Sequence, residues 1–302
     1  MRAIFIYNPK SGKGKVNKKL NFIKETLEAK YQEVVIYKTK SQEDTIQTAK
    51  ETCGKYDALI FSGGDGTFND ITCGVSTEQV RPVLGYIPSG TVNDIARNLG
   101  IPKNVKKALK IILDGNTINH DVGVVNGMHF MYVVGTGSFT RASYQTKHDV
   151  KKVFGKLAYV FDGFKDFLKP TISKVKLTFD NQVIEAETPL ILVVNSISVA
   201  GISFNKNGHL NDGKFDIVIV RKGFHKGMFN VLRLFLFGLK RQRRKKSVDV
   251  FRASSLTIQT EGNPCWTVDG EEGPKGTVQI KNLHNHLEIF ASLKKNKKTK
   301  SK

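Results

Sequence analysis

The sequence predicts an N-terminal α/β domain with a parallel sheet, followed by a C-terminal antiparallel β-sandwich domain. Three observations lead to this fold class: a length that suits two domains, strands that alternate with helices over the first 120 residues, and closely spaced strands after them. A chain of 302 residues accommodates two domains of about 100–200 residues each. Apolar residues make up 39% and charged residues 25%, which is typical of a folded globular protein.

The first third of the chain alternates short apolar strands with amphipathic helices. Ser41 is expected to cap the start of the second helix, and Gly115 the end of the last one. Such alternation predicts a parallel sheet covered by helices. Strands are predicted at residues 2–7, 33–39, 57–62 and 83–88, and helices at residues 16–31, 41–53, 67–75, 91–99 and 103–115.

The pattern changes after about residue 120 to strands joined by Gly, Asn and Asp turns. Many short strands with such turns are typical of an antiparallel sandwich or barrel. Two helical insertions are also expected, at about residues 143–168 and 226–240, where apolar residues recur at helical spacing. The strands are predicted within residues 120–137, 174–180, 182–187, 189–196, 214–220, 255–261 and 277–281.

The composition argues against several classes of protein. Lys and Arg number 48 and Asp and Glu 27, so the net charge is +21, which attracts polyanions such as nucleic acid, anionic lipid or nucleotide phosphate. The three cysteines form no C-x-x-C pair, which argues against a disulfide framework and favours a reducing compartment. No apolar run reaches the roughly 18–20 residues that cross a bilayer, so we expect neither a signal peptide nor a membrane span.

The strongest functional signal is the sequence GGDGT at residues 63–67, which follows an apolar strand and opens a helix. Glycines allow backbone N–H groups to approach phosphate oxygens, and a helix N-terminus adds partial positive charge. Asp65 would repel a bare phosphate, so its presence favours a nucleotide bound together with a divalent cation. The alternative is a tight turn in which Asp65 only caps the helix.

Two further loops follow strands in the same way. PSGTVND at residues 88–94 offers Thr91 and Asn93 as hydrogen-bonding groups for phosphate or ribose and Asp94 as a second carboxylate, although a plain helix cap also fits. NPKSGKGK at residues 8–15 is glycine-rich and basic but is not a Walker A sequence, and alone it also fits a solvated turn. Because the carboxyl ends of parallel strands share one edge, we expect the three loops to lie together there.

Four segments, NPKSGKGK, FSGGDGTFND, GYIPSGTVNDIARNLGIP and VDGE, resemble the bacterial soluble diacylglycerol kinases, which belong to the wider family of diacylglycerol, sphingosine and ceramide kinases. The resemblance extends over nearly the whole chain. It implies a Rossmann-like, NAD-kinase-like nucleotide domain at residues 1–122, to which the last strand returns at about 288–302, and a lipid-kinase β-sandwich at 123–287. It also implies an active site in the cleft between these domains.

The resemblance further implies a nucleotide site. Asp65, Asp94 and Asp121 would organise the catalytic Mg2+ and its waters. Asp70 stands where the family usually has Glu, which is one methylene longer. The residues that would contact ATP are Asn8, Pro9, Lys10, Ser11, Gly12, Thr39, Gly64, Asp65, Gly66, Thr67, Phe68, Asn69, Asp70 and Thr91.

Two acidic residues of the second domain gain a role from the resemblance. Glu271, in VDGE, would be the general base that accepts the proton of the attacking hydroxyl, although the same residues alone also fit a hairpin turn. Asp212 would supply the carboxylate of a structural metal site that the backbone carbonyls of His209 and Lys214 complete. From the residues alone, an ordinary N-D-G turn is favoured there.

The expected function is ATP-dependent phosphorylation of the primary hydroxyl of diacylglycerol, giving phosphatidic acid and ADP. Two alternatives stay open: a kinase of another acceptor, such as a sphingoid base or NAD, and a non-enzymatic module that binds membrane or nucleic acid. Residues 221–247 combine apolar and basic side chains and suit an anionic membrane surface, although a core-facing helix or a solvated run also fits. We expect a cytoplasmic enzyme at the inner face of the membrane without a nucleic-acid partner, and leave open a homodimer.

Overall fold

The computed structural model describes residues 1–9, 11–14, 16–137, 172–199, 202–203, 205, 208–222, 230, 234, 239 and 247–292. The insertion predicted at 143–168 lies outside the described residues, as do Lys10, the Lys-rich tail and most of residues 226–240. Within the described ranges, none of the helices is long and apolar enough to span a membrane. The chain divides into two compact units, Met1–Asp121 with Asn285–Lys302, and Val122–His284.

The first unit alternates strands and helices along the chain. Its strands are β1 Arg2–Tyr7, β2 Glu33–Lys38, β3 Ala58–Gly63 and β4 Val83–Pro88. Its helices are α1 Leu20–Glu28, α2 Gln42–Thr52, α3 Asp65–Val75, α4 Asp94–Asn98 and α5 Val105–Asp114. Two short 3-10 turns cover Ser11–Gly14 and Asn17–Lys19.

The four strands form a parallel sheet in the order β2-β1-β3-β4. The end of a long last strand, β18 Val278–Phe290, adds a further parallel strand where Ile289 pairs with Leu84 of β4. Strand β3 is buried along its whole length, as its continuous apolar run requires in a sheet covered on both faces. The sheet confirms the predicted α/β class and places the loops after β1, β3 and β4 at one edge.

Local sequence explains where the helices begin and end. The Ser41 side chain accepts a backbone hydrogen bond in the first turn of α2, and Gly115 ends α5 at a φ of 73°. Both predicted caps are therefore confirmed. The helix predicted at 91–99 starts only at Asp94, because Asn93 adopts a left-handed φ of 55° that a right-handed helix does not contain.

The second unit consists of two antiparallel sheets and one separate hairpin. Its strands are the end of β5 Thr117–Val125, then β6 Met128–Phe130, β7 Val133–Gly137, β8 Ser173–Phe179, β9 Gln182–Thr188, β10 Leu190–Val194, β11 Ser198–Val199, β12 Ile202–Ser203, β13 Phe215–Val220, β14 Val248–Ala253, β15 Ser255–Thr260, β16 Cys265–Val268, β17 Glu271–Lys275 and the first part of β18. One sheet has the order β18-β15-β8-β9, with β5 beside β18 and β6 beside β5, and the other has the order β14-β13-β10-β7-β16-β17. The hairpin pairs β11 with β12.

Side chains from both sheets of this unit share one hydrophobic core. Leu177 and Ile258 come from the first sheet, and Ile191, Ile217 and Trp266 come from the second. Trp266 is fully buried, and its Nε1 donates to the carbonyl oxygen of Gly276 at 2.7 Å, which satisfies its only polar group. Two antiparallel sheets packed around a common core confirm the predicted β-sandwich.

Gly74 and Gly66 both lie in α3, and alanine is expected to act oppositely at the two positions. A Cβ on Gly74 would overlap the carbonyl of Ile46 and lie 2.8 Å from the Cβ of Ala49, both in α2, whereas a Cβ on Gly66 would meet nothing within 4 Å. We expect Gly74→Ala to lower the free energy of unfolding by about 1–3 kcal/mol, because α2 has to move. Gly66→Ala should raise it by up to about 1 kcal/mol, because alanine favours a helix.

Urea unfolding of the two variants and the unmodified chain measures both effects. If Gly74→Ala and Gly66→Ala stabilise the protein equally, α2 and α3 do not pack as closely at Gly74 as described.

Candidate active site

The loops after β3 and β4 are joined at their bases. Gly63 and Pro88 pair as the last residues of the two strands. The carbonyl oxygen of Gly63 accepts hydrogen bonds from the backbone N–H of Ser89 at 2.8 Å and of Gly90 at 3.2 Å. The GGDGT and PSGT turns therefore lie together at the carboxyl edge of the sheet, as the strand pattern predicts.

Glycine residues allow the backbones of these turns to come into direct contact. A Cβ on Gly90 would lie 2.5 Å from the Cα of Gly64 and 2.7 Å from Oδ1 of Asn93, closer than side chains pack. The loop after β1 joins the same cluster, since a Cβ on Gly12 would lie 2.6 Å from the carbonyl oxygen of Ser89. Gly12 also has a φ of +59°, which glycine adopts without strain.

Hydroxyl groups connect the same three loops. The Oγ atoms of Ser89 and Ser11 are 2.8 Å apart, and the buried Ser62 donates to Ser89 Oγ at 3.2 Å. In the first loop, the N–H of Ser11 donates to the Asn8 carbonyl at 3.1 Å, and Asn8 and Pro9 are half-buried. Side-chain and backbone bonds together hold the NPKSGKGK, GGDGT and PSGT loops in one cluster.

Asp65, the first residue of α3, binds the start of a neighbouring helix. Its Oδ1 accepts a hydrogen bond from the N–H of Ile95 at 3.2 Å. Burial raises the pKa of Asp65 and the charge of Asp94 raises it further, while backbone hydrogen bonds from residues 93–95 lower it. The N-cap of α3 is Gly64, so the carboxylate of Asp65 instead ties GGDGT to the helix that follows PSGT.

The other two carboxylates predicted to organise Mg2+ are also buried. Asp94 is 2% exposed and its Oδ1 lies 3.6 Å from Nη1 of Arg97. Asp121, on β5, is 1% exposed and accepts a hydrogen bond from the N–H of Asn285 at 2.8 Å. Among the residues that the structure describes, no group of three His, Cys, Asp or Glu side chains could hold a metal ion.

Even so, the two carboxylates beside the glycine turns fit magnesium chemistry. Mg2+ usually takes one or two carboxylates from the protein and completes its shell with phosphate oxygens and water. Burial raises the pKa of Asp65 and the charge of Asp94 adds to the rise, and a cation beside Asp65 would oppose both effects. A buried amide oxygen, Oδ1 of Asn69, also has no partner in the described part of the chain.

Other predicted ATP contacts lie on α3 and at the end of β2. The N–H and Oγ1 of Thr39 both donate to the Tyr7 carbonyl, at 3.0 and 3.3 Å, so this residue joins the ends of β1 and β2. Asp70 accepts a hydrogen bond from Gln42 at 2.8 Å and is therefore held by α2. The ring of Phe68 is fully buried in the core, which makes it a packing residue of α3.

Three predicted contacts lie on the glycine turns themselves. Thr67 packs directly over Gly63, and Gly66 is exposed with open space around it. Thr91 is exposed, and its carbonyl accepts a hydrogen bond from Nζ of Lys103 at 2.6 Å. Lys103 is absent from the predicted site residues, because nothing in its local sequence distinguishes it from the other lysines of residues 103–110.

In the second unit, Glu271 lies at the end of a firmly anchored hairpin between β16 and β17. It is exposed and pairs with Val268 across the hairpin. The turn residue Asp269, at a φ of 50°, accepts backbone hydrogen bonds from Met131 at 2.6 Å, Tyr132 at 3.0 Å and Val133 at 2.9 Å. Asp269 was not predicted as a positioning group, because its donors are more than 130 residues away in the sequence.

At residues 209–214, where the resemblance implies a structural metal site, the carboxylate of Asp212 has two partners within the protein. One carboxylate oxygen of Asp212 accepts the N–H of Lys214 at 3.1 Å, and the other pairs with the guanidinium of Arg252. Arg252 also lies 3.4 Å from Asp216. A cation bound to Asp212 would share this carboxylate with Arg252, and the metal site at His209, Asp212 and Lys214 stays a prediction.

Comparison with known proteins identifies the class. The family model described as diacylglycerol kinase catalytic domain matches residues 2–125, and the model described as YegS C-terminal NAD kinase beta sandwich-like domain matches residues 132–291. The fold, the clustered glycine turns and these matches define a lipid kinase. The chain belongs to the diacylglycerol kinase family, which confirms the resemblance seen in its motifs.

Individual relatives are similar to this protein over nearly the whole chain. A diacylglycerol kinase of Staphylococcus epidermidis is 33% identical over 293 residues, covering 96% of this chain and 92% of that protein. One from Staphylococcus saprophyticus is 32% identical and covers 96% and 95%. The crystal structure of a diacylglycerol kinase from Bacillus anthracis has a TM-score of 0.79 at 27% identity and covers 97% of each chain.

Asp269→Asn tests the anchoring of the β16–β17 hairpin. An amide has one oxygen in place of two, so an NH2 group would face a backbone N–H donor, and we expect the free energy of unfolding to fall by about 1–3 kcal/mol. Asp180→Asn is the matched control, because Asp180 is an exposed hairpin-turn residue at a φ of 46° and asparagine tolerates that conformation. Urea unfolding compares the two variants, and equal stability would contradict the anchoring role of Asp269.

Proposed function

We propose that this protein transfers the γ-phosphoryl group of ATP to the primary hydroxyl of diacylglycerol, giving phosphatidic acid and ADP. The observation that carries the proposal is the contact of three glycine turns at the carboxyl edge of a parallel sheet, next to the half-buried Asp65. The names of the curated relatives and the match to the catalytic-domain model support diacylglycerol as the acceptor.

In this proposal the glycine turns bind the phosphates of ATP. The α3 N-terminus points its partial positive charge at them, and the absence of side chains at Gly64 and Gly66 leaves room for phosphate oxygens. The hydroxyl groups of Thr67 and Thr91 add further donors. The full proposed ATP contact set is Asn8, Pro9, Lys10, Ser11, Gly12, Thr39, Gly64, Asp65, Gly66, Thr67, Phe68, Asn69, Asp70 and Thr91.

Asp65, Asp94 and Asp121 are the residues proposed to hold Mg2+ and its waters. When bound, the ion would neutralise phosphate charge, which lowers the cost of bringing a nucleophile to the γ-phosphorus. The protein's own contribution is to hold the carboxylates of Asp65 and Asp94 beside the turns. The N–H of Ile95 donates to Asp65, and Nη1 of Arg97 lies 3.6 Å from Oδ1 of Asp94.

Glu271 is proposed as the general base. As the lipid hydroxyl oxygen forms its bond to the γ-phosphorus, its proton passes to the Glu271 carboxylate, and the bond from the γ-phosphorus to the bridging oxygen breaks to release ADP. The exposure of Glu271 leaves its carboxylate free of the core, and the Asp269 anchor fixes the hairpin that carries it. Positioning and charge neutralisation supply most of the catalysis.

We also propose that the protein meets its diacylglycerol substrate at an anionic membrane surface on the cytoplasmic side. The net charge of +21 supports this, since each basic residue near such a surface contributes about 1 kcal/mol. The basic and apolar segment 221–247 is the proposed contact region, and most of it lies outside the described residues.

Glu271→Gln is expected to lower kcat by at least about 100-fold, because the amide cannot accept the proton, while the Kd for ATP stays within about twofold. The assay measures transfer of labelled phosphate to diacylglycerol in phosphatidylglycerol vesicles, and calorimetry measures ATP binding.

Glu272→Gln is the matched control. Glu272 pairs with Thr267, and its Oε1 lies 3.6 Å from the sulfur of Cys265, so it extends on the other face of the strand from Glu271. We expect kcat within about threefold of the unmodified protein. Full activity of Glu271→Gln would remove Glu271 from its role, and transfer to a sphingoid base or NAD in place of diacylglycerol would overturn the proposed acceptor.

A further inference from the structure

Two buried polar side chains, Tyr86 and Asn93, lie directly against the bases of the two glycine turns. The hydroxyl oxygen of Tyr86 is 3.2 Å from the carbonyl oxygen of Gly63 and 3.1 Å from Oδ1 of Asn93, so it donates to either. Nδ2 of Asn93 donates to the carbonyl of Gly90 at 2.7 Å. Tyr86 therefore lies between the last residue of β3, which starts GGDGT, and Asn93, which holds the middle of PSGT.

The ring of Tyr86 is held rigidly by its neighbours. It is 1% exposed on β4, stacks on Phe61 at 5.0 Å between ring centroids, and meets Phe68 edge-on at 5.1 Å. Burial also raises the pKa of Tyr86, so the hydroxyl keeps its proton and remains a donor. A rigid donor at this place fixes its acceptors in position.

Asn93 has its own conformational role. It is 2% exposed and adopts a left-handed backbone at φ 55° and ψ 57°, which ends the PSGT turn and sets the start of α4. Asparagine is among the few residues that adopt this conformation readily, because its side chain hydrogen-bonds locally. Both ends of its amide are engaged within the protein, so the side chain expected from the sequence to bond phosphate or ribose instead holds the turn.

The spacing of the two turns depends on these contacts. Gly64 and Gly90 touch through their backbones, the Gly63 carbonyl accepts the N–H groups of Ser89 and Gly90, and the Tyr86 hydroxyl lies 3.2 Å from the same carbonyl oxygen. If the side-chain bonds are removed, the backbone bonds remain but the turns can separate. If one turn moved by a few tenths of an ångström relative to the other, several contacts to the phosphates would weaken at once.

We propose that Tyr86 and Asn93 are positioning residues that set the spacing between the GGDGT and PSGT turns for the phosphates of ATP without touching the nucleotide. The proposal rests on the proposed function only in that ATP binds at these turns. It does not depend on which acceptor receives the phosphoryl group.

The test uses the full-length protein and compares Tyr86→Phe with Asn93→Gly. The first removes only the hydroxyl, and the second removes the amide while glycine keeps the positive φ. For each variant we expect the Kd for ATP, measured by calorimetry without lipid, to rise about 3- to 10-fold, the size that one lost hydrogen bond produces. The KM for ATP should rise in parallel, and the KM for diacylglycerol should stay unchanged.

Tyr31→Phe is the matched control. Tyr31 is 1% exposed in the same unit, and its hydroxyl has no hydrogen-bond partner among the described residues. Removing that hydroxyl should leave the Kd for ATP within about twofold, since it breaks no bond. The comparison separates loss of a buried hydroxyl in general from loss of the bond at the turns.

Two results would overturn the proposal. One is a Tyr86→Phe variant that melts at a lower temperature but binds ATP as the unmodified protein does, which would make Tyr86 purely structural. The other is an equal rise in the KM values for ATP and diacylglycerol, which would indicate general distortion. An unmodified protein that binds ATP but phosphorylates no diacylglycerol refutes only the proposed function, whereas one that binds no ATP refutes both.

Discussion

The proposed site depends on the contact between the backbones of two turns that end neighbouring parallel strands. Gly63 accepts hydrogen bonds from residues 89 and 90, and Gly64 and Gly90 meet with no room for a side chain. Parallel strands bring such turns to one edge, but only glycine lets them approach this closely. Asp65 and Tyr86 each bond across this contact, and Asn93 holds the PSGT turn through its bond to Gly90.

Three carboxylates of the first unit, two buried and one half-buried, stand out in a chain of net charge +21. Each has a partner in the protein: the N–H of Ile95 for Asp65, the N–H of Asn285 for Asp121, and Arg97 for Asp94. Burying a charge without such partners would cost roughly several kcal/mol of folding free energy. These bonds therefore make the acidic site compatible with folding.

Features set by short stretches of sequence were predictable. Strand–helix alternation predicted the parallel sheet, and turn residues predicted the antiparallel half, because period and turn chemistry are local properties. The glycine motifs predicted which loops share an edge. The caps at Ser41 and Gly115 followed from residue type alone.

Features set by contacts between distant residues were not predictable. Asp65 caps a helix 30 residues away, Asp269 binds N–H groups more than 130 residues away, and Arg252 pairs with Asp212 across 40 residues. The left-handed Asn93 shortened a predicted helix, because a single backbone conformation overrides good helix-forming neighbours. Asp65, Thr91 and Asp94 were named from the chemistry of their loops, the other site residues were named from family resemblance, and the roles of all of them are proposals.

The most direct measurement is a crystal structure of the protein with Mg2+ and a non-hydrolysable ATP analogue. We predict that the β- and γ-phosphates lie within hydrogen-bonding distance of backbone N–H groups in residues 64–67, with the PSGT turn against them and Tyr86 and Asn93 not in contact with the nucleotide. An analogue bound away from these turns, or turns that separate when it binds, would contradict the central claim.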